Sequence, residues 1–262
     1  MQDIVDTIKQ GNVVAFCGAG LSKDSGIPTF RDKGGLWDRY NPSVYATLEG
    51  LTSLLLYQPA SLKKFLVEAY TLILNAKPNQ AHYGLKYLEK QGYVTCIITQ
   101  NIDDLHWQAG SESITEIHGN IYRFACLKCD YSVKKSKSEV ISFLQKLKIK
   151  ERSREIIAAV LEFTGKCKSC KKRLSSDVVL FGQLLPESQI QRSYSYLHRA
   201  TCVLCIGTSL TVYPAATLPL YARERGAKII NVNCGESSLE AVADINIYQE
   251  AGCFFNNLLK QI

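Results

Sequence analysis

Cysteine supplies the strongest chemical signal in this chain. Two C-x-x-C knuckles, "CLKC" (Cys126, Cys129) and "CKSC" (Cys167, Cys170), can each present two thiolates to one edge of a tetrahedron. Together they close a four-sulfur site. The 37 residues between them exceed the usual spacing of about 15–20, so a folded insert is expected there. Sulfur fills all four positions and leaves none open for water. The pattern therefore predicts one structural zinc per chain, not a generator of hydroxide. A third pair, Cys202 and Cys205, lies in the apolar run "TCVLCIG". Residues three apart on a strand point to opposite faces and cannot share an ion. Both are read as small buried side chains, and Cys17, Cys96, Cys234 and Cys253 are not expected to be ligands.

Three other stretches hold residues that could do chemistry. "CGAGLSKDSGIPTFRD" opens with Gly18, Ala19 and Gly20, a turn whose backbone could approach a pyrophosphate and offer it amide N–H groups. The dinucleotide fingerprint would place a third glycine at position 23, where Lys23 stands, so an ordinary strand-end turn accounts for it equally well. Gly26 and Pro28 stop the following helix within a few residues, leaving Thr29, Phe30 and Arg31 on a loop that could cover a ring and meet a phosphate. "TQNIDDLH" places Gln100, Asn101 and Asp103 at a strand tip, where amides and a carboxylate suit a ribose and a carboxamide. Helix capping by Asn101 or Asp103 is the competing account. "EIHGN" carries His118, one of four histidines. An imidazole in a polar loop can serve as a general base near neutrality, or can be structural.

Several apolar runs must position these groups. "NVVAFCGAG", "YVTCIITQN", "SDVVLFG", "CVLCIGTS" and "KIINVN" read as strands ending in glycine or polar residues, with helical stretches between most of them. Such alternation predicts a parallel sheet covered on both faces, with ligands beyond the carboxyl ends of the strands. Residues 2–11 read as a helix, and Leu54, Leu55, Phe65, Leu66, Ala69, Tyr70 and Ile73 recur at helical spacing. Residues 130–166 form a basic insert with nine Lys/Arg against five Asp/Glu. In it, Val140, Leu144 and Leu147 make one apolar stripe, and Ile156, Ile157, Val160 and Leu161 another. Two amphipathic helices are expected.

Composition bounds the rest. The chain has 262 residues, 46% apolar, with a formal charge of +7. That length suits one large domain or a domain with a smaller lobe. No apolar run reaches the ~18–20 residues that span a bilayer. "MQDIVDTIKQ" lacks the basic start and apolar centre of a secretory signal. The expectation is a cytoplasmic protein without membrane partners, in which ten cysteines are not a disulfide framework. The charge alone is too small to imply nucleic acid, and the basic insert shows no aromatic-rich groove. Direct nucleic-acid binding is not expected.

Taken in order, "GAGLSKDSGIPTFR", "TQNID", "HG", the paired knuckles, "VVLFG", "GTSLTVYPAA" and "NVN" resemble the sirtuin family of NAD-dependent protein deacylases. The resemblance covers roughly residues 3–255. It implies an α/β fold, a Rossmann-like doubly wound parallel sheet with a smaller lobe. The NAD-binding lobe would comprise residues 1–32, 77–121 and 177–262. The small lobe would combine a helical module, 33–76, with a zinc-binding module, 122–176. Carried over residue by residue, Gly18, Ala19, Gly20 and Ser22 would hold the phosphates, with Phe30 and Arg31 on the covering loop. Gln100, Asn101, Ile102 and Asp103 would surround the nicotinamide and its ribose. Gly207, Thr208, Ser209 and Asn233 would flank the phosphates and adenosine half, and Ala251 would border the adenine. Val179, Phe181 and Gly182 would take acylated, mainly acetylated, lysine from a peptide lying as an extra strand.

The implied chemistry is attack of the acyl oxygen on the ribose C1′ as nicotinamide leaves. His118 then serves as general base toward the ribose hydroxyls, with Asn101 beside it. The products would be lysine, nicotinamide and 2′-O-acyl-ADP-ribose. NAD hydrolysis or ADP-ribosyl transfer at the same pocket is the alternative. Two positions depart from the family pattern beside the peptide groove: Gln183 replaces a common glutamate, and Ser176 a common proline. The Tyr-x-x-Arg pair of members that favour succinyl groups is missing. Ser43, Leu48, Ala60 and Ile73 stand three residues after Tyr40, Tyr45, Tyr57 and Tyr70. Neutral acyl groups are expected over succinyl, because a buried carboxylate would lack its guanidinium partner.

Overall fold

The computed structural model describes residues 1–29, 35–235 and 237–262, so Phe30 and Arg31 lie outside the described residues. Nine strands are present among these: β1 Val13–Cys17, β2 Val94–Thr99, β3 Ile114–Glu116, β4 Arg123–Cys126, β5 Ser132–Lys134, β6 Leu174–Ser176, β7 Cys202–Ile206, β8 Lys228–Val232 and β9 Ile245–Ile247. The chain forms two compact units. One holds residues 1–29, 76–118 and 185–262; the other holds 30–75 and 119–184.

The first unit is built on a six-stranded sheet in the order β3-β2-β1-β7-β8-β9, with every pair parallel. This is the doubly wound order, which reverses between β1 and β7. All five residues of β1 and all five of β7 are buried, as continuous apolar runs require when helices cover both faces. On one face, Ala15, Cys17, Cys202 and Leu204 pack under Ile8, Leu85, Phe254 and Phe255. On the other, Phe16, Cys96, Val203 and Cys205 pack with Leu197, Leu218 and Ala222. Cys202 and Cys205 thus fall on opposite faces of β7, and burial raises both thiols, Cys202 to about 12. They are core residues.

Two buried histidines make this unit acid-sensitive. The rings of His82, in the Gln80–Lys90 helix, and His106 lie 4.9 Å apart. Burial lowers His82 to about 2 and His106 to about 4, so both are neutral in the fold. The unfolded chain takes up their protons once the pH falls below about 6.5. Stability should therefore be fully present above that value. It should decline toward pH 4 for His106, and further for His82, by up to about 1.4 kcal/mol per pH unit for each ring. Denaturant midpoints measured between pH 7.5 and 5 test this. His106→Phe should flatten the dependence, and an unchanged slope would refute the assignment.

In the second unit, β5-β4-β6 form a small antiparallel sheet. Its core is slight: Phe124, Cys167 and Leu174 are buried, with Tyr131, Val133 and Phe163 partly so. The expected helices of the basic insert occur as Lys137–Lys148 and Ser153–Thr164. Val140, Leu144 and Leu147 are buried as their spacing predicts. On the second helix only Ile156 is fully buried, and Phe163 replaces the rest of the expected stripe as anchor. Phe163 stacks on Phe143 at 4.0 Å and meets Phe124 and Tyr70 edge-on.

One strand expectation fails. "SDVVLFG" contributes only the end of β6. Residues 178–180 are half-buried and join no strand ladder among the described residues, and Phe181 makes a single bridge to Thr47. An apolar run reads as a strand, but only a ladder of backbone hydrogen bonds to a neighbouring strand makes it one, and among the described residues this run has a single bridge.

Candidate functional site

The reversal point of the large sheet brings "GAG" and "GTS" together, and glycine is what permits it. A Cβ on Gly18 would lie 2.7 Å from the Gly207 oxygen and 2.8 Å from Thr208 Cβ. One on Gly20 would lie 2.8 Å from Gly207 Cα. Gly207 itself has φ +60°, and its own Cβ would meet the Leu21 nitrogen at 2.3 Å. The turn's amides also serve this contact: Gly18 N–H donates to Ile206 O (2.9 Å) and Gly20 N–H to Gly207 O (2.8 Å). So two of the three amides expected to face phosphate tie the strand tips instead. Residues Ala19–Ser25 then wind as a 3₁₀ helix ended by Gly26 at φ +84°. The helix expected to break early is therefore a tighter coil from its first residue.

Around this knot the predicted polar residues form one network. Asn101 Nδ2 donates to Gly18 O (3.1 Å) and Ser22 Oγ (3.0 Å), and Ser22 Oγ donates to Asp103 Oδ2 (2.7 Å). Leu105 N–H donates to Asp103 Oδ1 (2.9 Å). Asp103 is almost wholly buried, and burial raises its carboxyl against these donors. Gln100 Nε2 donates to Thr208 Oγ1 (2.9 Å), while Asn233 Nδ2 donates to Thr208 O (3.3 Å). Ile102 is half-buried beside Asp103, and Ser209 is half-buried beside Thr208. Ala251 starts the Ala251–Leu258 helix, whose Gly252 N–H donates to Asp24 Oδ2 (3.3 Å).

His118 sits just beyond β3, with its Nδ1 3.0 Å from the carbonyl oxygen of Gln100. A carbonyl only accepts, so Nδ1 carries the proton and Nε2 keeps its lone pair in the neutral ring. Burial lowers the pKa of the imidazole, opposed in part by that backbone bond. The ring is thus a neutral base at pH 7, with no hydrogen-bond partner on Nε2 among the described residues.

Sequence reasoning missed Asn79. Its Oδ1 caps the Gln80–Lys90 helix through Ala81 N–H (3.0 Å), which "PNQAH" could have signalled. Its Nδ2 also reaches Leu21 O (2.8 Å) and Ser25 Oγ (3.0 Å), pinning the 3₁₀ helix from 54 residues or more away. No local pattern encodes that reach.

In the second unit, the four predicted cysteines converge. Their sulfurs all lie within 4.8 Å of one another, with Cys126–Cys170 at 3.5 Å and Cys129–Cys167 at 3.3 Å. Zinc–sulfur bonds of about 2.3 Å span sulfurs at such separations. Within the knuckles, Lys128 N–H points at Cys126 Sγ and Cys170 N–H at Cys167 Sγ, both at 3.4 Å. These donors favour thiolate, and they lower the pKa of Cys126 and Cys167. The donor set fits zinc. It is the one cluster of three or more potential ligands among the described residues. Also in this unit, Gly119 has φ +76° and comes so close to Asp177 O that no Cβ would fit. Val179 is half-buried, and Phe181 and Gly182 are exposed. No described helix is long and apolar enough to cross a membrane.

Comparison with known proteins agrees with this geometry. The family model described as the Sir2 family matches residues 18–214. The NAD-dependent protein deacylase of Pyrococcus abyssi is 40% identical over 241 residues, 92% of this chain and 89% of that protein. A solved Sir2 homolog–NAD complex superposes with a TM-score of 0.80 at 33% identity, covering 99% of this chain and 93% of the other. A structure described as Sir2 with p53 peptide and NAD⁺ gives 0.78 at 29% identity, covering 100% and 98%.

Proposed function

This chain belongs to the Sir2 family, and we propose that it is an NAD-dependent protein-lysine deacylase acting mainly on acetyl-lysine. The observation that carries the reading is the His118 ring. Its Nδ1 is tied to the Gln100 carbonyl, so the lone pair on Nε2 can take a proton. The adjoining Gln100–Asp103 run supplies amides and a buried carboxyl.

NAD, when bound, supplies an electrophilic ribose carbon and a neutral leaving group. The chain's own residues then divide the work. Asp103 and Asn101, held by Ser22 and Leu105, offer fixed acceptors and donors to a carboxamide and a ribose. Ala19, Gly20 and Ser22 on one strand tip, with Gly207, Thr208 and Ser209 on the other, line the phosphate path. Asn233 and Ala251 bound the adenosine end. Phe30 and Arg31 are proposed for the covering loop. His118 accepts a proton from the ribose hydroxyls, a role suited to a base that is neutral at the working pH. The four cysteines hold one zinc that shapes the small sheet. Val179, Phe181 and Gly182 receive the substrate as an added strand, where main-chain bonds leave side-chain preference loose. A cytoplasmic location goes with this reading.

Acyl preference follows from the charges at hand. Arg39, the one arginine among described residues 35–75, is paired with Glu68 at 2.7 Å. Its neighbours Tyr40, Leu54, Leu62, Phe65 and Ala69 form an apolar cluster. An acetylated peptide should be turned over at least about tenfold faster than its succinylated twin, since an unpaired carboxylate loses more than a kcal/mol on burial. Mass spectrometry of the products tests both points. It should show 2′-O-acetyl-ADP-ribose; ADP-ribose alone, or faster desuccinylation, would overturn the reading.

A further inference from the structure

We infer that Gln183 is a self-occupying cap on the substrate-binding edge, holding a backbone donor that an incoming peptide must take over. The inference rests on residues 178–184 receiving the substrate strand. Phe181 N–H donates to Ala46 O at 2.8 Å, and Phe181 bridges Thr47 in parallel, so one edge of the segment is already paired. In an extended chain, the backbone groups of successive residues point to opposite edges. Leu180 therefore presents its N–H and C=O to the other edge, where a substrate would lie.

Both of those groups are held by Gln183. Leu180 N–H donates to Gln183 Oε1 (2.9 Å), and Gln183 N–H donates to Leu180 O (3.0 Å). Gly182, at φ +84°, supplies the left-handed step that folds Gln183 back over the edge. The side-chain oxygen is an amide carbonyl, the same acceptor that a peptide backbone would offer. Val178, two residues earlier, also has its N–H held by a side chain: it donates to Ser176 Oγ (3.3 Å). The two capping residues are the two positions where the sequence departs from the family pattern beside the peptide groove. Ser176 and Gln183 are both exposed, so either side chain can swing into water when displaced. Unpaired, this edge would expose donors beside Phe181 and Leu184, which are 49% and 94% exposed. Edges of that kind invite pairing with the wrong chain. The caps blunt the edge and raise the peptide concentration needed to open it.

Gln183→Met keeps length and removes the acceptor; Ser176→Ala removes the hydroxyl. Each should lower KM for an acetyl-lysine peptide, the glutamine variant by about two- to tenfold, the scale of one intramolecular hydrogen bond. KM for NAD and kcat should stay within about twofold. Amide hydrogen exchange of the peptide-free enzyme reads the cap directly. Leu180 should exchange slowly in the wild type, quickly in Gln183→Met, and slowly again once peptide is added. Equal Leu180 exchange in wild type and variant, or a KM that does not fall, would overturn the cap. If Leu180 is protected by Gln183 but peptide neither restores protection nor is turned over, the reading of the segment as substrate edge fails instead.

Discussion

Replacing His118 with alanine is expected to lower kcat/KM for deacylation by about a thousandfold, within the range of a lost general base. NAD affinity should change by less than about threefold, because the network of Asn101, Ser22 and Asp103 does not depend on the imidazole. Zinc content should not change at all. The fixed tautomer makes a second signature available. Nε2 acts only when unprotonated, and burial lowers the ring's pKa. The wild-type acid limb should therefore fall below the ordinary histidine value of about 6.5, with activity lost as the pH drops through it. Stopped assays with acetyl-peptide, beside calorimetric NAD titration, check both points. A variant that keeps a tenth of its activity would remove His118 from the base role. A parallel loss of NAD binding would make the residue structural.

Stripping the proposed zinc should have the largest effect on stability. Among the described residues, the core of the small antiparallel sheet has three buried members, Phe124, Cys167 and Leu174, and one of these is a cysteine. Burying a Phe or Leu side chain is worth about 1.5–3 kcal/mol, too little to order three short strands against their conformational entropy. A four-thiolate zinc contributes on the order of 10 kcal/mol or more of apparent binding free energy. Cys167→Ser, or prolonged chelation, should therefore abolish protection of backbone amides across residues 123–134 and 174–176. The segment proposed to receive the peptide, which follows β6 directly, should loosen with them, raising KM for peptide more than for NAD. Elemental analysis should find one zinc per chain. A metal-free sample that keeps its amide protection would show that packing alone suffices.

Much of this was legible because the sheet's strands announce themselves. Apolar runs of five or six residues closed by glycine or polar tips read as interior parallel strands, and β1, β2, β7 and β8 follow. The cysteine spacing decided between ligand and core: pairs on knuckles converge, while Cys202 and Cys205 diverge across a strand. Other features escaped for physical reasons. The contact of Gly18 and Gly20 with Gly207 joins residues almost 190 apart, about the longest kind of separation that folding must close. Asn79 looks like a helix cap, and nothing local reveals that the other end of its carboxamide holds the 3₁₀ helix. "VVLFG" reads as a strand because propensity reports side-chain fit, not whether a neighbouring strand is there to pair with it. Ile157, Val160 and Leu161 match helical spacing yet stay only partly covered, because Phe163 fills the space their stripe would have claimed.

The interleaving of the two units sets an order of events during synthesis. Residue 184, the last of the smaller unit, emerges from the ribosome ahead of β7. The smaller unit is thus complete while β1 still lacks the inner neighbour it pairs with from Val13 to Cys17. For that interval a fully apolar strand has an open side, the condition under which nascent chains are captured or aggregate. The proposed zinc site can load on the nascent chain, whereas closure of the six-stranded sheet must await β7, β8 and β9.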